Sequence, residues 1–291
     1  MKRIAGLREA GYEIEVHPLL GTKLVAAPDR LIADDLFPAA EAARIGRRIL
    51  VFEQTASTND LAAKLGREGE PEGLVVFAES QTSGRGRLGR RWESECGQGL
   101  YFSLLLRPNF ERQYWMNLTT WAAVAVAEGI EQAVSCEAKI KWPNDIYIEG
   151  KKAVGILSEL HTDKESNAFA IVGIGVNVNQ QEFPESLASK AISLQQIAKT
   201  KVNRREVALR ILEALERSYS LVGGFFNQIV AEADRRSYLK GRRIRLEAGT
   251  STIEGIAGDL DCSGALQICQ SSGEMITVSS GEVTVAGIAI Q

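Results

Sequence analysis

Residues 81–92 read QTSGRGRLGRRW, which puts three glycines and four arginines into one short segment of a chain whose formal net charge is only −3. LVVFAES (74–80) precedes it and LYFSLLL (100–106) follows it. Both are short apolar runs with β-formers, so the segment is predicted to be a loop between two strands. Gly84, Gly86 and Gly89 permit positive φ angles, and successive glycine N–H groups can converge on an anion while arginines supply forked donors. The ligand suited to such a loop is a phosphate or a carboxylate; the bland alternative is a solvated arginine-rich turn. Residues 84–89 also fit G-x-G-x-x-G, but that dinucleotide fingerprint must open a helix, and here Trp92 and another strand follow. Neither GxxxxGKS nor GxxxxGKT occurs, so no Walker loop supports a P-loop reading.

At 291 residues and 45% apolar, the chain can hold a main domain and a smaller one, each with a packed core. Its slightly acidic balance argues against a broad basic face for nucleic acid or anionic membrane. Cys96, Cys136, Cys262 and Cys269 have no CxxC pairing, and two histidines, His17 and His161, are too few for a zinc constellation. The cysteines are expected to be reduced and mostly buried, as in a cytoplasmic protein. No apolar run approaches the ~20 residues that span a bilayer. The N-terminal MKRIAGLREAGYEIE lacks the apolar core of an export signal.

Along the chain, residues 2–10 read as a helix stopped by Gly11, with a strand and turn through 13–25. A short helix is expected in PAAEAARI (38–45), a strand at 49–53, and a helix in 55–69 whose start is crowded with Ser57, Thr58, Asn59 and Asp60. One of those is needed as a cap; the others are spare polar groups at a positive helix terminus. Residues 112–134 have the length and alanine content of a long core helix, with Trp115 and Trp121 packing inside. A meander over 139–160 sets Asp145 and Lys152 on adjacent strands, turning at Glu149-Gly150. The next strand, AFAIVGIGVNVN, carries Gly173 and Gly175, where backbone can approach a ligand, and ends on Asn177 and Asn179, which mark either a site or a turn. Residues 203–222 form an amphipathic helix, and from 241 five short runs separated by glycine, aspartate and serine turns suggest a small β-barrel.

STN (57–59), GRGRLGRRW (84–92), KWPND (141–145), KKAVGIL (151–157) and GIGVNVN (173–179), in this order and followed by a small β-domain, resemble the biotin protein ligases. The likeness covers residues 49 to the C-terminus. It implies an α+β fold: a mixed sheet packed with helices, like a class II aminoacyl-tRNA synthetase, then an SH3-like β-barrel. The divisions expected are 1–30 (a partial winged-helix remnant and connector), 31–238 (catalytic) and 239–291 (barrel). The remnant lacks the helices that such a module packs against, which with the acidic balance argues against DNA binding by this chain.

The resemblance implies two steps: biotin carboxylate attacks the α-phosphate of ATP to give biotinyl-5′-AMP, then a lysine of a biotin carboxyl carrier domain of a carboxylase takes the biotin. It assigns catalysis to Lys152, Arg85 and Arg87. Ser57, Thr58, Asn59 and Gln81 are implied at the polar ring end of biotin, with Gly84, Gly86, Gly155 and Gly173 completing its pocket beside Arg85, Arg87 and Lys152. Arg85, Arg87, Arg90, Trp92, Asn144 and Asn177 are implied at the nucleotide and Asp145 at Mg²⁺. Leu88 and Glu95 depart from the polar or basic residue and the proline of several members. Members occur as monomers and homodimers, and sheet edges allow either. Residues 82–91 are expected to be poorly ordered without ligand and to fold over the intermediate. The alternatives are a lipoate or octanoate ligase, a biotin-sensing repressor and an inactive carrier-binding module.

Overall fold

The strands expected on either side of the glycine-arginine loop lie next to each other inside a seven-stranded sheet. The computed structural model describes residues 2–9, 11–18, 20–26, 28–36, 43–249 and 251–285. Helix α1 (Lys2–Glu9) precedes an isolated antiparallel hairpin of β1 (Glu13–His17) and β2 (Gly21–Ala26). The large sheet comprises β3 (Arg48–Thr55), β4 (Leu74–Gln81), β5 (Gly99–Leu106), β6 (Lys139–Lys141), β7 (Asp145–Ile148), β8 (Lys151–Thr162) and β9 (Ala168–Asn177). Its order is β3-β4-β5-β9-β8-β7-β6; β3 and β4 run parallel and all other neighbours antiparallel, which makes it the mixed sheet expected. The helices are α2 (Thr58–Arg67), α3 (Asn117–Ala133), α4 (Glu185–Ala188), α5 (Leu194–Ala198), α6 (Arg204–Tyr219) and α7 (Phe226–Arg235).

Side chains alternate across a strand, so each strand feeds two different environments. From β9, Ala170, Val172, Ile174 and Val176 join the main core with Trp121 of α3 and Val207 and Ile211 of α6. Phe169 and Ile171 point the other way, onto Ala62 and Ala63 of α2. Continuing along that second face come Gly173, Gly175 and Asn177, where bulk stops. Register puts Gly155 of β8 opposite Gly175 and Leu157 opposite Gly173. One face of the sheet is therefore fully covered by α3 and α6, and the other is covered by α2 over only part of its width.

Helix α3 begins at Asn117 rather than at residue 112. Residues 112–114 form a 3₁₀ turn, and Trp115, buried with its indole N–H donating to the Phe110 carbonyl at 3.0 Å, anchors the chain there before the helix starts. The helix expected in 38–45 falls mostly on residues 37–42, outside the described residues. Cys96 and Cys262 are exposed beside turns and Cys136 and Cys269 are half-buried, so the expectation of mostly buried thiols fails; all four are free.

The C-terminal strands are β10 (Arg243–Ala248), β11 (Ser251–Leu260), β12 (Leu266–Cys269), β13 (Met275–Val278) and β14 (Glu282–Val285). They form an antiparallel sheet of order β13-β12-β11-β10-β14, and among the described residues β13 and β14 do not pair to close it. Its core includes Ile244, Leu246, Leu266 and Ile268, together with Trp142 from the β6–β7 turn, whose indole N–H donates to the Gly264 carbonyl at 3.1 Å. The small sheet is thus fastened to the large one at the turn of the KWPND stretch.

Arg204 opens α6 fully buried. Its guanidinium meets Glu79 of β4 at 2.7 Å and Asp29 at 2.8 Å, and donates to the Asp29 carbonyl; Glu79 also accepts from the Leu31 N–H. This network locks the segment around Asp29 to the sheet. Arg204→Met leaves Glu79 without its cation and Asp29 with only the exposed Lys201, and is expected to cost about 3–5 kcal/mol in urea unfolding. A loss under about 1 kcal/mol would show that the network does not hold the fold together.

Candidate active site

A cavity of ~960 Å³ opens where the second face of the sheet loses its bulk. Gly155, Gly173 and Gly175 make its floor, and the indole of Trp92 lies against it: a Cβ on Gly175 would sit 2.5 Å from the ring, and one on Gly155 2.8 Å. The indole N–H is buried without a hydrogen-bond partner. Gly155 and Gly175 are needed for that contact, since any side chain there would displace the ring.

One end of the cavity is polar and buried. Ser57 caps α2 by accepting from the Asp60 N–H, which leaves Thr58 and Asn59 facing inward, both nearly fully buried. Gln81 accepts from the Thr58 N–H at 2.8 Å and donates to Ser94 Oγ at 2.9 Å. Ser103, at the centre of β5, donates to Asn59 Oδ1 at 2.6 Å and lies 2.8 Å from Thr58 Oγ1. Asn59 Nδ2 donates to Glu159 at 2.6 Å. A Cβ on Gly173 would fall inside the Asn59 carboxamide, so that glycine creates the seat of this amide.

The other end is cationic. Lys152 Nζ stands 2.7 Å from Asp145 Oδ1 and 5.5 Å from the centre of the Trp92 ring. The two form an ion pair, and Asp145 Oδ1 has no other partner among the described residues. Arg87 donates to Asn144 Oδ1 at 2.9 Å and to the Gly281 carbonyl at 3.2 Å, and Asn144 is fixed in turn by donating to the Ile156 carbonyl. Burial lowers the Arg87 pKa. Asn177 lines the same end and donates to the Ile192 carbonyl at 3.3 Å. Asn179 lies outside the cavity, bracketing the Val202 backbone with a donated and an accepted bond of 2.9 Å.

The loop reaches over both ends. Arg85 pairs with Asp60 at 2.7 Å and Glu159 at 3.1 Å, above the polar end, and Arg90 pairs with Glu282 of β14. Gly86 is on the cavity wall. Gly84 is not: it packs under the loop, where a Cβ would lie 2.5 Å from the Trp92 carbonyl oxygen and 3.0 Å from Ser94 Oγ. It shapes the loop from beneath. Leu88 takes a left-handed φ of 57° at the tip, a conformation uncommon for a residue with a Cβ, and is 74% exposed.

Every other residue expected at the site lies on this cavity. Sequence reading missed Ser103, Glu159, Lys141 and the contribution of residues 281–285. Ser103 was signalled by the one polar residue in LYFSLLL, and Glu159 by a carboxylate in a strand that is otherwise apolar toward the core. No local signal marks residues 281–285, because their place depends on how the second sheet docks.

Residues 51–179 match the family described as "Biotin/lipoate A/B protein ligase family", and residues 240–285 match "Biotin protein ligase C terminal domain". The bifunctional ligase/repressor BirA of Bacillus subtilis is 41% identical over 220 residues, covering 75% of this chain and 68% of that protein. A biotin acetyl-CoA-carboxylase ligase of Mycobacterium tuberculosis is 33% identical over 261 residues, 88% of this chain and 94% of that one. The chain belongs to the biotin/lipoate protein ligase family. Among solved structures, the biotin protein ligase from Aquifex aeolicus in complex with biotin and ATP superposes with a TM-score of 0.71 at 31% identity, over 82% of this chain and 98% of that one.

In this family member the pairing of Arg85 with Glu159 joins the loop to the residue that also holds Asn59. Glu159→Gln keeps an acceptor for Asn59 but removes one of the two charges on Arg85. A half-exposed pair of this kind contributes up to about 1 kcal/mol, or a factor of about five in loop opening. Trypsin is expected to cut within residues 82–91 a few-fold faster in the variant with little change in melting temperature. Equal cleavage rates would show that this pair does not hold the loop.

Proposed function

We propose that this protein activates biotin with ATP to form biotinyl-5′-AMP and pyrophosphate, then transfers biotin to a lysine of a biotin carboxyl carrier domain. The observation that carries the reading is that a buried polar end and a cationic end share one glycine-floored cavity. A carboxylic acid with a polar, hydrogen-bonding ring at its far end spans those two ends. Thr58, Asn59 and Gln81, supported by Ser103, meet the ring. The carboxylate then reaches Lys152.

A carboxylate is ionised at neutral pH, so its attack on phosphorus needs no general base. It needs relief from repulsion between two anions and alignment with the leaving group. Lys152 supplies a point charge between them. Arg87, held by Asn144, offers its donors to the phosphates from the loop side, and Trp92 walls the adenylate against the Gly155–Gly175 floor. Among the described residues no cluster of three or more His, Cys, Asp or Glu side chains could hold a metal by itself. Mg²⁺ would fit as the ion carried by ATP, with the Asp145 carboxylate, whose partner in the empty cavity is Lys152, as the protein group that would hold it. Bound there, the ion would neutralise phosphate charge.

Among the described residues no helix is long and apolar enough to cross a membrane. The acyl-adenylate hydrolyses if water reaches it, which gives the loop its role as a cover. The carrier lysine enters once pyrophosphate has gone.

Biotin-dependent exchange of labelled pyrophosphate into ATP tests the first half-reaction, with lipoate and octanoate in parallel. Exchange with biotin alone is expected, falling at least a hundredfold in Lys152→Ala, in line with the loss of one group that stabilises developing charge. Exchange with another acid but not with biotin would refute the reading. Residues 82–91 are also expected to resist protease once biotin and ATP are bound.

A further inference from the structure

Most cations around the cavity keep a carboxylate partner: Arg85 has Asp60 and Glu159, Arg90 has Glu282, and Lys152 has Asp145. Two half-buried ones, Arg87 and Lys141, differ, and the exposed Lys190 is also without an ion pair among the described residues. Arg87 donates to the neutral Asn144 amide and the Gly281 carbonyl. Lys141, on β6, donates to the Tyr147 phenol at 3.2 Å and sits over its ring, 5.1 Å from the centre. Neither Arg87 nor Lys141 forms an ion pair among the described residues. Both are half-buried, and burial is the largest influence on each, lowering both pKa values. Both line the same cavity, in the lobe where the charges of Asp145, Glu282 and Arg90 act on them. That lobe lies between the β6–β7 hairpin and the residues leading into β14, with Tyr147, Gly281 and Val283 on its walls.

Two cations stripped of part of their water, hydrogen-bonded only to neutral acceptors and offset only at a distance by Asp145 and Glu282, gain when an anion arrives. A single protein carboxylate would have satisfied either one permanently, so the neutral partners leave the lobe receptive to a multivalent anion that comes and goes. Resting on the adenylation reading above, we propose that Lys141 and Arg87 form a subsite for the leaving pyrophosphate, separate from Lys152 at the attacked phosphorus. In that step a biotin carboxylate oxygen bonds to the α-phosphorus, and the bond from the α-phosphorus to the α–β bridging oxygen breaks. The bridging oxygen departs with the electron pair on pyrophosphate, with no oxidation and no obligatory proton transfer. Charge therefore builds on the leaving group, where Lys141 meets it.

The full chain, as wild type, Lys141→Gln, Lys141→Arg and Tyr147→Phe, is compared in three measurements. These are the pyrophosphate dependence of biotin-dependent exchange, transfer from preformed biotinyl-5′-AMP to a carrier domain without ATP, and calorimetric binding of inorganic pyrophosphate. K141Q is expected to raise the KM for pyrophosphate and weaken its binding about tenfold, the effect of losing one charged hydrogen bond. Transfer from biotinyl-5′-AMP stays within about twofold, and K141R recovers most of the loss. Y147F, which removes the phenol that holds Nζ, shifts the same KM in the same direction and carries the test if K141Q does not fold. An unchanged KM and unchanged pyrophosphate binding would overturn the proposal. So would a loss confined to transfer, which would assign the lobe to the carrier. A wild type without biotin-dependent exchange would refute the functional reading, while weaker pyrophosphate binding by K141Q would still uphold the subsite.

Discussion

The sheet has side chains enough to fill one face and withholds them from part of the other. On the face toward α3 and α6, residues such as Phe102, Val154, Ile174 and Val176 interdigitate in the main core. On the opposite face, α2 covers Phe169 and Ile171, and beyond its reach the strands present Gly173, Gly175 and Gly155. Each glycine inside a strand costs roughly 0.5–1 kcal/mol against a residue with a side chain. The core behind it, which contributes about 1.5–3 kcal/mol for each large apolar side chain buried, can bear that. The cavity is thus a direct consequence of strand alternation with three positions emptied, and Trp92 and Asn59 occupy the space that the missing Cβ atoms leave.

Both sheets contribute to the charge that surrounds this cavity. The loop between β4 and β5 touches the first turn of α2 through Arg85 and the edge of the second sheet through Arg87 and Arg90. The second sheet is itself fixed by Trp142, whose neighbours in sequence, Lys141 and Asp145, face the cavity. A displacement of the small sheet would therefore move the Gly281 carbonyl away from Arg87 and Glu282 away from Arg90. Positioning of the loop depends on docking of the two cores as much as on local backbone preference.

Alternation and turn chemistry made the strands readable: 74–81, 99–106 and 168–177 follow from short apolar runs between glycine and asparagine signals, and the Glu149-Gly150 turn, with both residues at positive φ, follows from its sequence. The spare polar residues after Ser57 were readable because a helix start needs only one cap. Arg204 was not, since an arginine in the first turn of an amphipathic helix looks like a solvated charge until Glu79 and Asp29 are brought to it from distant parts of the chain. Lys141 and Gly281 were hidden for the same reason: their meaning lies in contacts between sheets, whereas periodicity reports only which way a side chain points within one. The five short runs become the five strands of a small antiparallel sheet consistent with the SH3-like domain expected; among the described residues β13 and β14 do not pair, since turn spacing sets strand number but not closure.

The charges of the cavity divide into two kinds, and the division has a physical logic. Arg85, Arg90 and Lys152 are neutralised by protein carboxylates, so the empty cavity does not carry the full repulsion of clustered cations. An incoming anion must compete with those carboxylates, which weakens its binding, but the arrangement keeps the fold stable without ligand. Arg87 and Lys141 face neutral oxygens, so an anion that reaches them displaces only neutral acceptors, against the more distant charges of Asp145 and Glu282. On the subsite proposed above, a preference for a polyphosphate over a simple carboxylate would follow from the spread of the two kinds along one cavity. On that proposal a monoanion would engage Lys152 alone, whereas a longer anion would also replace the neutral partners of Arg87 and Lys141.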